Sequence, residues 1–135
     1  MSTYLKLFCL ALPIMIALDA SWIGVISGSF YTSNIGSLLS ATPNYLAAFL
    51  FYIFYVSGIL YFALIPAVRE HSFMKSITPA LVLGFVAYTT YNLTNLALLT
   101  GWPPIVAVVD TAWGVISTTL TSGLTYVLAT KVYKL

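Results

Sequence analysis

The charged residues of this chain are so few, and so unevenly placed, that they restrict its fold more than any other feature. Between Lys6 and Arg69 the only charged residue is Asp19, and a second long stretch, residues 76–130, contains only Asp110. Charged residues make up 6% of the chain, whereas soluble domains carry about 25%. A soluble fold would expose these apolar stretches to water, so the sequence predicts an integral membrane protein.

Four long apolar segments account for most of the sequence. A helix needs about 20 mainly apolar residues to cross the hydrocarbon core of a bilayer. Strands of a membrane barrel alternate apolar and polar residues over about ten positions, and these segments are longer and more uniformly apolar. We therefore predict an all-α polytopic membrane protein, a compact bundle of four transmembrane helices in one domain over residues 1–135. The predicted spans are residues 4–26, 44–68, 77–99 and 104–130.

Proline and glycine residues mark the ends of these spans. Pro79 is predicted to lie in the first turn of the third span, and Pro104 to open the fourth, because proline suits a helix start. Gly101 and the residues after it predict a tight turn. The uncharged, Gly- and Ser-rich stretch of residues 27–43 is interpreted as a loop.

The basic residues predict the orientation of the bundle. All five lie at or beyond the ends of the predicted spans, and the loops 27–43 and 100–103 contain none. Because Lys and Arg accumulate on the cytoplasmic side, we expect a location in the cytoplasmic (inner) membrane with both termini in the cytoplasm. The five are Lys6, Arg69, Lys75, Lys131 and Lys134.

Two carboxylates fall inside predicted spans, where ionisable groups are costly and are candidates for function. At the helical rise, Asp19 lies about 12 Å inside the outer end of the first span, and Asp110 about 10 Å inside the same surface. With no Lys, Arg or His in this layer, one should be protonated or a cation should sit between them. If they hydrogen-bond directly, we expect them to share one proton. The alternative is that each is held by neutral donors and only locks the bundle.

Other polar and aromatic side chains are predicted to reach the same layer. Each Asp is followed three residues later by a Trp, on the same helical face. In the third span a tyrosine and asparagine face has the spacing i, i+3, i+4, i+7. In the second span Tyr52 and Tyr55 share one face and come near the same depth. The predicted ligand-binding residues are Asp19, Trp22, Tyr88, Tyr91, Asn92, Asn95, Trp102, Asp110 and Trp113, with the three tryptophans as an aromatic wall.

A second stripe runs along the fourth span, where small and polar residues recur at spacings of 4, 3, 4 and 4. Small residues let membrane helices approach closely, so a packing seam is favoured over a polar conduit. The stripe consists of Asp110, Gly114, Ser117, Thr121 and Thr125.

The remaining composition excludes several classes of site. Cys9 is the only cysteine and His71 the only histidine, so neither a disulfide nor a metal site is expected. The basic residues do not cluster, which excludes nucleic acid as a partner. No cofactor motif is present. Membrane lipid is the expected partner, and assembly into a homo-oligomer or a larger membrane complex is left open.

The order of these motifs resembles the small bacterial membrane proteins catalogued as domain of unknown function 2177. The resemblance covers essentially the whole chain and implies the fold and the polar layer, but no reaction. That family usually has Asp where this chain has Asn92, so a site built from three carboxylates would lack one here. The residues that carry the resemblance are Asp19-x-x-Trp22-Ile23-Gly24, Phe30-Tyr31, Pro43-Asn44, Tyr88-x-x-Tyr91-Asn92-Leu93-Thr94-Asn95-Leu96-Ala97, Gly101-Trp102-Pro103 and Asp110-x-x-Trp113-Gly114.

Three functions remain open at this point. The favoured one is binding or transport of a proton, a cation or a small ligand in an outer-leaflet pocket around Asp19 and Asp110, because uncompensated negative charge and aromatic faces both attract cations. A membrane enzyme acting on a lipid is the second, since paired carboxylates can divide acid and base roles. It ranks lower because the sequence has no visible nucleophile or metal set. The third is an accessory subunit of a membrane complex.

Overall fold

Five of the six α-helices, together with two π-helical turns, build four rods of membrane-spanning length. The computed structural model describes all residues 1–135, of which 85% are helical and none form strands. In chain order the helices are α1 (Thr3–Ser21), α2 (Gly28–Ile35), α3 (Tyr45–Ile59), α4 (Ile65–Arg69), α5 (Phe73–Leu98) and α6 (Pro104–Val132). The π-helical turns Trp22–Ile26 and Leu60–Leu64 extend α1 and join α3 to α4.

All four rods are long and apolar enough to cross a membrane, which confirms the predicted all-α, four-span fold. Their outer surfaces are apolar: Phe54 is 72% exposed and Leu98 is 77% exposed. Side chains of this kind suit a lipid environment and would be unfavourable in water. The rods are Thr3–Ile26, Tyr45–Arg69, Phe73–Leu98 and Pro104–Val132.

Local signals explain where the rods begin. The Asn44 side chain accepts a hydrogen bond from the backbone N–H of Ala47 at 3.0 Å and so caps α3. Pro104 occupies the first turn of α6 as predicted. The preceding turn needs a left-handed residue, and Gly101 supplies it with φ +86°.

Two predicted boundaries differ from the structure. The third span begins at Phe73 rather than residue 77, so Pro79 lies inside α5 and not in its first turn. The stretch 27–43 is not a loop throughout, because α2 occupies Gly28–Ile35. Its polar side chains bond back to carbonyls one turn earlier: Thr32 donates to Gly28 O at 2.9 Å, and Asn34 donates to Phe30 O at 2.8 Å. Residues that signal a loop are thereby accommodated in a helix.

The two ends of the bundle differ in character. At one end, Lys6 lies 5.3 Å from the centre of the Tyr133 ring, and Phe73 packs against Tyr126. Both termini and the 69–75 connection therefore meet there, with all five basic residues; we call it the basic end. The opposite end, which carries α2 and the connection to α6, is called the site end.

An apolar core of α1, α3, α4 and α6 closes the basic half: Leu7, Ala11, Met15, Val56, Ile59, Leu60, Leu64, Ala67, Val68, Tyr126 and Ala129.

Glycine residues bring α5 and α6 into close contact. A Cβ atom on Gly84 would lie 2.7 Å from the Gly114 carbonyl oxygen, and one on Gly114 would lie 2.0 Å from the Tyr88 ring. The Tyr88 ring therefore packs directly on the backbone of α6, at a place where only glycine fits. The rest of the predicted small-residue stripe is buried along the same helix: Ser117, Thr121 and Thr125.

We expect Gly114→Ala to destabilise the protein by about 1–3 kcal/mol, the usual cost of forcing extra volume into a packed interior. The added methyl group must displace the Tyr88 ring or separate the two helices. Thermal unfolding of the purified protein in detergent measures the loss. Gly24→Ala is the matched control, because its Cβ would meet no atom within 4 Å. Equal stability of the two variants would contradict the close packing of Tyr88 on Gly114.

Candidate functional site

Asp19 lies near the C-terminal end of α1 and is held by donors from two other helices. Its side chain is only 6% exposed. The Tyr52 hydroxyl of α3 donates to Oδ2 at 3.0 Å, and the Trp113 indole of α6 donates to Oδ1 at 3.0 Å. Both donors are neutral, so they stabilise the carboxylate without cancelling its charge.

Asp110, in the second turn of α6, is held in the same way by a different pair. The Tyr31 hydroxyl of α2 donates to Oδ1 at 2.8 Å, and the Asn92 amide of α5 donates to Oδ2 at 2.7 Å. Asn92 is 1% exposed and also donates to the Tyr88 carbonyl at 3.0 Å. Asn92 therefore places a neutral donor against Asp110.

The two Asp-x-x-Trp motifs are crossed in space. Trp22 and Trp113 stack with ring centres 4.6 Å apart and an angle of 3° between the planes. Trp113 donates to Asp19 of the other motif, and Trp22 donates at 3.2 Å to Tyr31, which in turn donates to Asp110. Each carboxylate is thus connected to the tryptophan that follows the other one, and α1 and α6 are tied together at the site end.

Tyr31 and Tyr52 complete the site, and neither is among the predicted ligand-binding residues. The Phe30-Tyr31 pair lay in a stretch interpreted as a loop, and Tyr52 was expected near the depth of the polar layer but not as one of its ligand-binding residues. Only the folding of α2 back over the ends of α1 and α6 brings Tyr31 to Asp110. Burial raises the pKa of the Tyr31 phenol above its ordinary value, and the Asp110 carboxylate acts in the same direction, so Tyr31 remains a hydrogen-bond donor at neutral pH.

A cavity of about 510 Å³ lies between these side chains. Both carboxylates line it, whereas no Lys, Arg or His does, and no cluster of three metal-ligating side chains exists in the chain. The hydrogen bonds to both aspartates come from Tyr, Trp and Asn donors, and a proton shared between the two carboxyl groups stays a prediction. The full lining is Asp19, Trp22, Ile23, Gly28, Tyr31, Thr32, Leu39, Phe51, Tyr52, Tyr88, Asp110 and Trp113.

The remaining predicted site residues divide between this cavity and its surroundings. Tyr88 lines the cavity, and Tyr91 lines a neighbouring one that also contacts Asp110. Trp102 packs edge-on against Tyr91, with ring centres 5.9 Å apart, and does not join the stacked pair of tryptophans. Asn95 lines neither cavity. The aromatic wall of the cavity therefore contains two tryptophans and several tyrosines rather than three tryptophans.

We expect Tyr31→Phe to lower stability by about 1–3 kcal/mol, because the Asp110 carboxylate loses a donor and the Trp22 indole loses its acceptor. Thermal unfolding in detergent measures the change, and the fluorescence of Trp22 should shift with it. Tyr61→Phe is the matched control, since Tyr61 is 70% exposed and its hydroxyl makes no hydrogen bond. If both variants unfold at the parent temperature, Tyr31 does not link α2 to the site.

Comparison with known proteins identifies the family and no closer relative. No curated protein and no solved structure matches the chain. The family model described as "Predicted membrane protein (DUF2177)" matches residues 4–127 of the 135. That range includes most of each of the four rods and every residue of the site, and the chain belongs to this family of membrane proteins.

Proposed function

We propose that the cavity at the site end binds a small organic cation between Asp19 and Asp110. One observation carries the proposal: two carboxylates line one cavity inside the bundle, and every group that hydrogen-bonds to them is neutral. A cation 4 Å from one carboxylate gains about 4 kcal/mol at the effective dielectric constant of 20 that is usual for protein sites. The fold contains no side chain that could supply this charge there.

The carboxylates retain the capacity to hold such a ligand. An ionised carboxylate offers about four lone-pair sites, and each of these two accepts two hydrogen bonds from the protein. An ammonium group could therefore bond to both without displacing the existing donors.

The size and lining of the cavity favour an organic cation over a bare metal ion. A volume of about 510 Å³ is within the range of small-molecule sites. The stacked tryptophans and the tyrosines offer aromatic faces, which attract ammonium groups by cation–π interaction. A divalent metal would need further carboxylate or imidazole ligands. Asn92, which hydrogen-bonds to Asp110, offers a neutral amide instead of a third carboxylate.

Binding is better supported than a continuous conduit. An apolar core fills most of the basic half, and the buried side chains that run along α6 toward that end, Ser117, Thr121 and Thr125, are uncharged. Transport would therefore require a second conformation in which this core opens, whereas binding requires only the arrangement already present.

We expect Asp19→Asn and Asp110→Asn each to weaken binding of methylammonium at least tenfold while the protein remains folded in the membrane. Removing one of two charges that face a desolvated cation costs about 2–5 kcal/mol. Binding can be followed by the fluorescence of Trp22 and Trp113 in nanodiscs. Glu70→Gln is the matched control, because Glu70 is the one other carboxylate side chain and pairs with Lys75 at the basic end. Parent-like affinity in both Asp variants, or absence of binding in the parent, would overturn the proposal.

The distribution of basic residues supports a cytoplasmic location for both termini in the inner membrane, with the site open toward the outer surface. We expect a cysteine at Ser40, at the site end, to react with a membrane-impermeant maleimide on intact cells. A cysteine at Glu70, at the basic end, should react only after lysis. Both substitutions are made in a Cys9→Ser background, and both positions are exposed. The reverse labelling pattern would show the opposite orientation.

A further inference from the structure

A slot between α3 and α5 leads from the carboxylates to the lipid-facing surface. It begins with a second cavity of about 400 Å³, which shares Phe51, Tyr88 and Asp110 with the first. One of the two carboxylates is thus reached from both cavities. The lining of the second cavity is Phe51, Tyr55, Ala87, Tyr88, Tyr91 and Asp110.

A third cavity continues the slot along α3, away from the site end. It has about 350 Å³ and shares Phe51, Tyr55 and Ala87 with the second. Its other lining residues are Phe54, Gly58 and Leu83, so its walls are apolar apart from the Tyr55 hydroxyl. From Phe51 to Gly58 the helical rise is about 10 Å, which gives the slot the length of an extended hydrocarbon segment.

The slot exists because the backbones of α3 and α5 diverge toward the site end. α5 packs closely against the π-helical turn Leu60–Leu64, but not against α3 itself. Only side chains bridge the gap, with the Tyr55 and Tyr88 rings 6.1 Å apart. Gly58 has no side chain to fill it, and a Cβ there would only just reach Leu83 at 4.0 Å.

We infer that the ligand is an amphiphile, with an ammonium head between Asp19 and Asp110 and one alkyl chain lying in the slot between α3 and α5. This rests on the proposed function and specifies its ligand class. Charge complementarity fixes the head at the carboxylates, and the continuity of the three cavities gives the chain an apolar path out of the site. Such a ligand enters sideways from the lipid, so its chain never has to pass through water.

The test compares a short and a long probe with the same head group, butylammonium and dodecylammonium, in nanodiscs. Ala87→Trp fills the slot at the junction of the second and third cavities. Gly58→Leu fills it from α3 and serves if the first variant folds poorly. Ala97→Trp is the matched control, since Ala97 is exposed on the same helix and lines none of the three cavities. The partition of a given probe into the bilayer is the same for every variant, so it cancels when variants are compared with that probe.

We expect Ala87→Trp to weaken dodecylammonium binding at least tenfold and to leave butylammonium binding unchanged, because only the longer chain needs the slot. Ala97→Trp should bind both probes like the parent. Two outcomes would contradict an amphiphilic ligand but not the cation site: binding of butylammonium without dodecylammonium by the parent, or parent-like binding of both probes by both slot variants. If the parent binds neither probe, the proposed function fails and this inference fails with it.

Discussion

Two carboxylates buried among apolar helices, with no cationic side chain near them, impose the arrangement of everything at the site end. A charge inside a bilayer is tolerated only when the protein replaces the water that would otherwise solvate it. Here each carboxylate receives one phenol and one N–H donor, drawn from four different helices: α2, α3, α5 and α6. The demand for donors therefore determines which helices must meet.

The same demand explains the short helix α2. A chain that only needed to connect two spans could do so with a few polar residues, but the Asp110 carboxylate needs a further donor. By folding over the ends of α1 and α6, α2 supplies Tyr31 and shields the polar layer. The stacked tryptophans line the cavity beside the carboxylates with side chains that are both apolar and hydrogen-bond donors.

The asymmetry of the bundle separates stability from the site. The basic half is closed by a continuous apolar core, and α5 and α6 are held together by glycines that let their backbones approach. At the site end α3 and α5 diverge, and cavities remain where packing would otherwise be complete. Open space beside uncompensated charge is the observation on which the proposed ligand site rests.

Charge content, apolar length and helix-start signals were enough to predict the fold class and the four spans, because each of these depends on local sequence and on the bilayer. The family's motifs could also be recognised in the sequence. The roles of Tyr31 and Tyr52, the crossed pairing of the Asp-x-x-Trp motifs, the separation of Trp102 from that pair and the slot beside α3 were decided only by the tertiary structure. These features depend on how helices distant in sequence pack together, and lipid-exposed and pocket-facing aromatic residues look the same in a sequence because both are apolar.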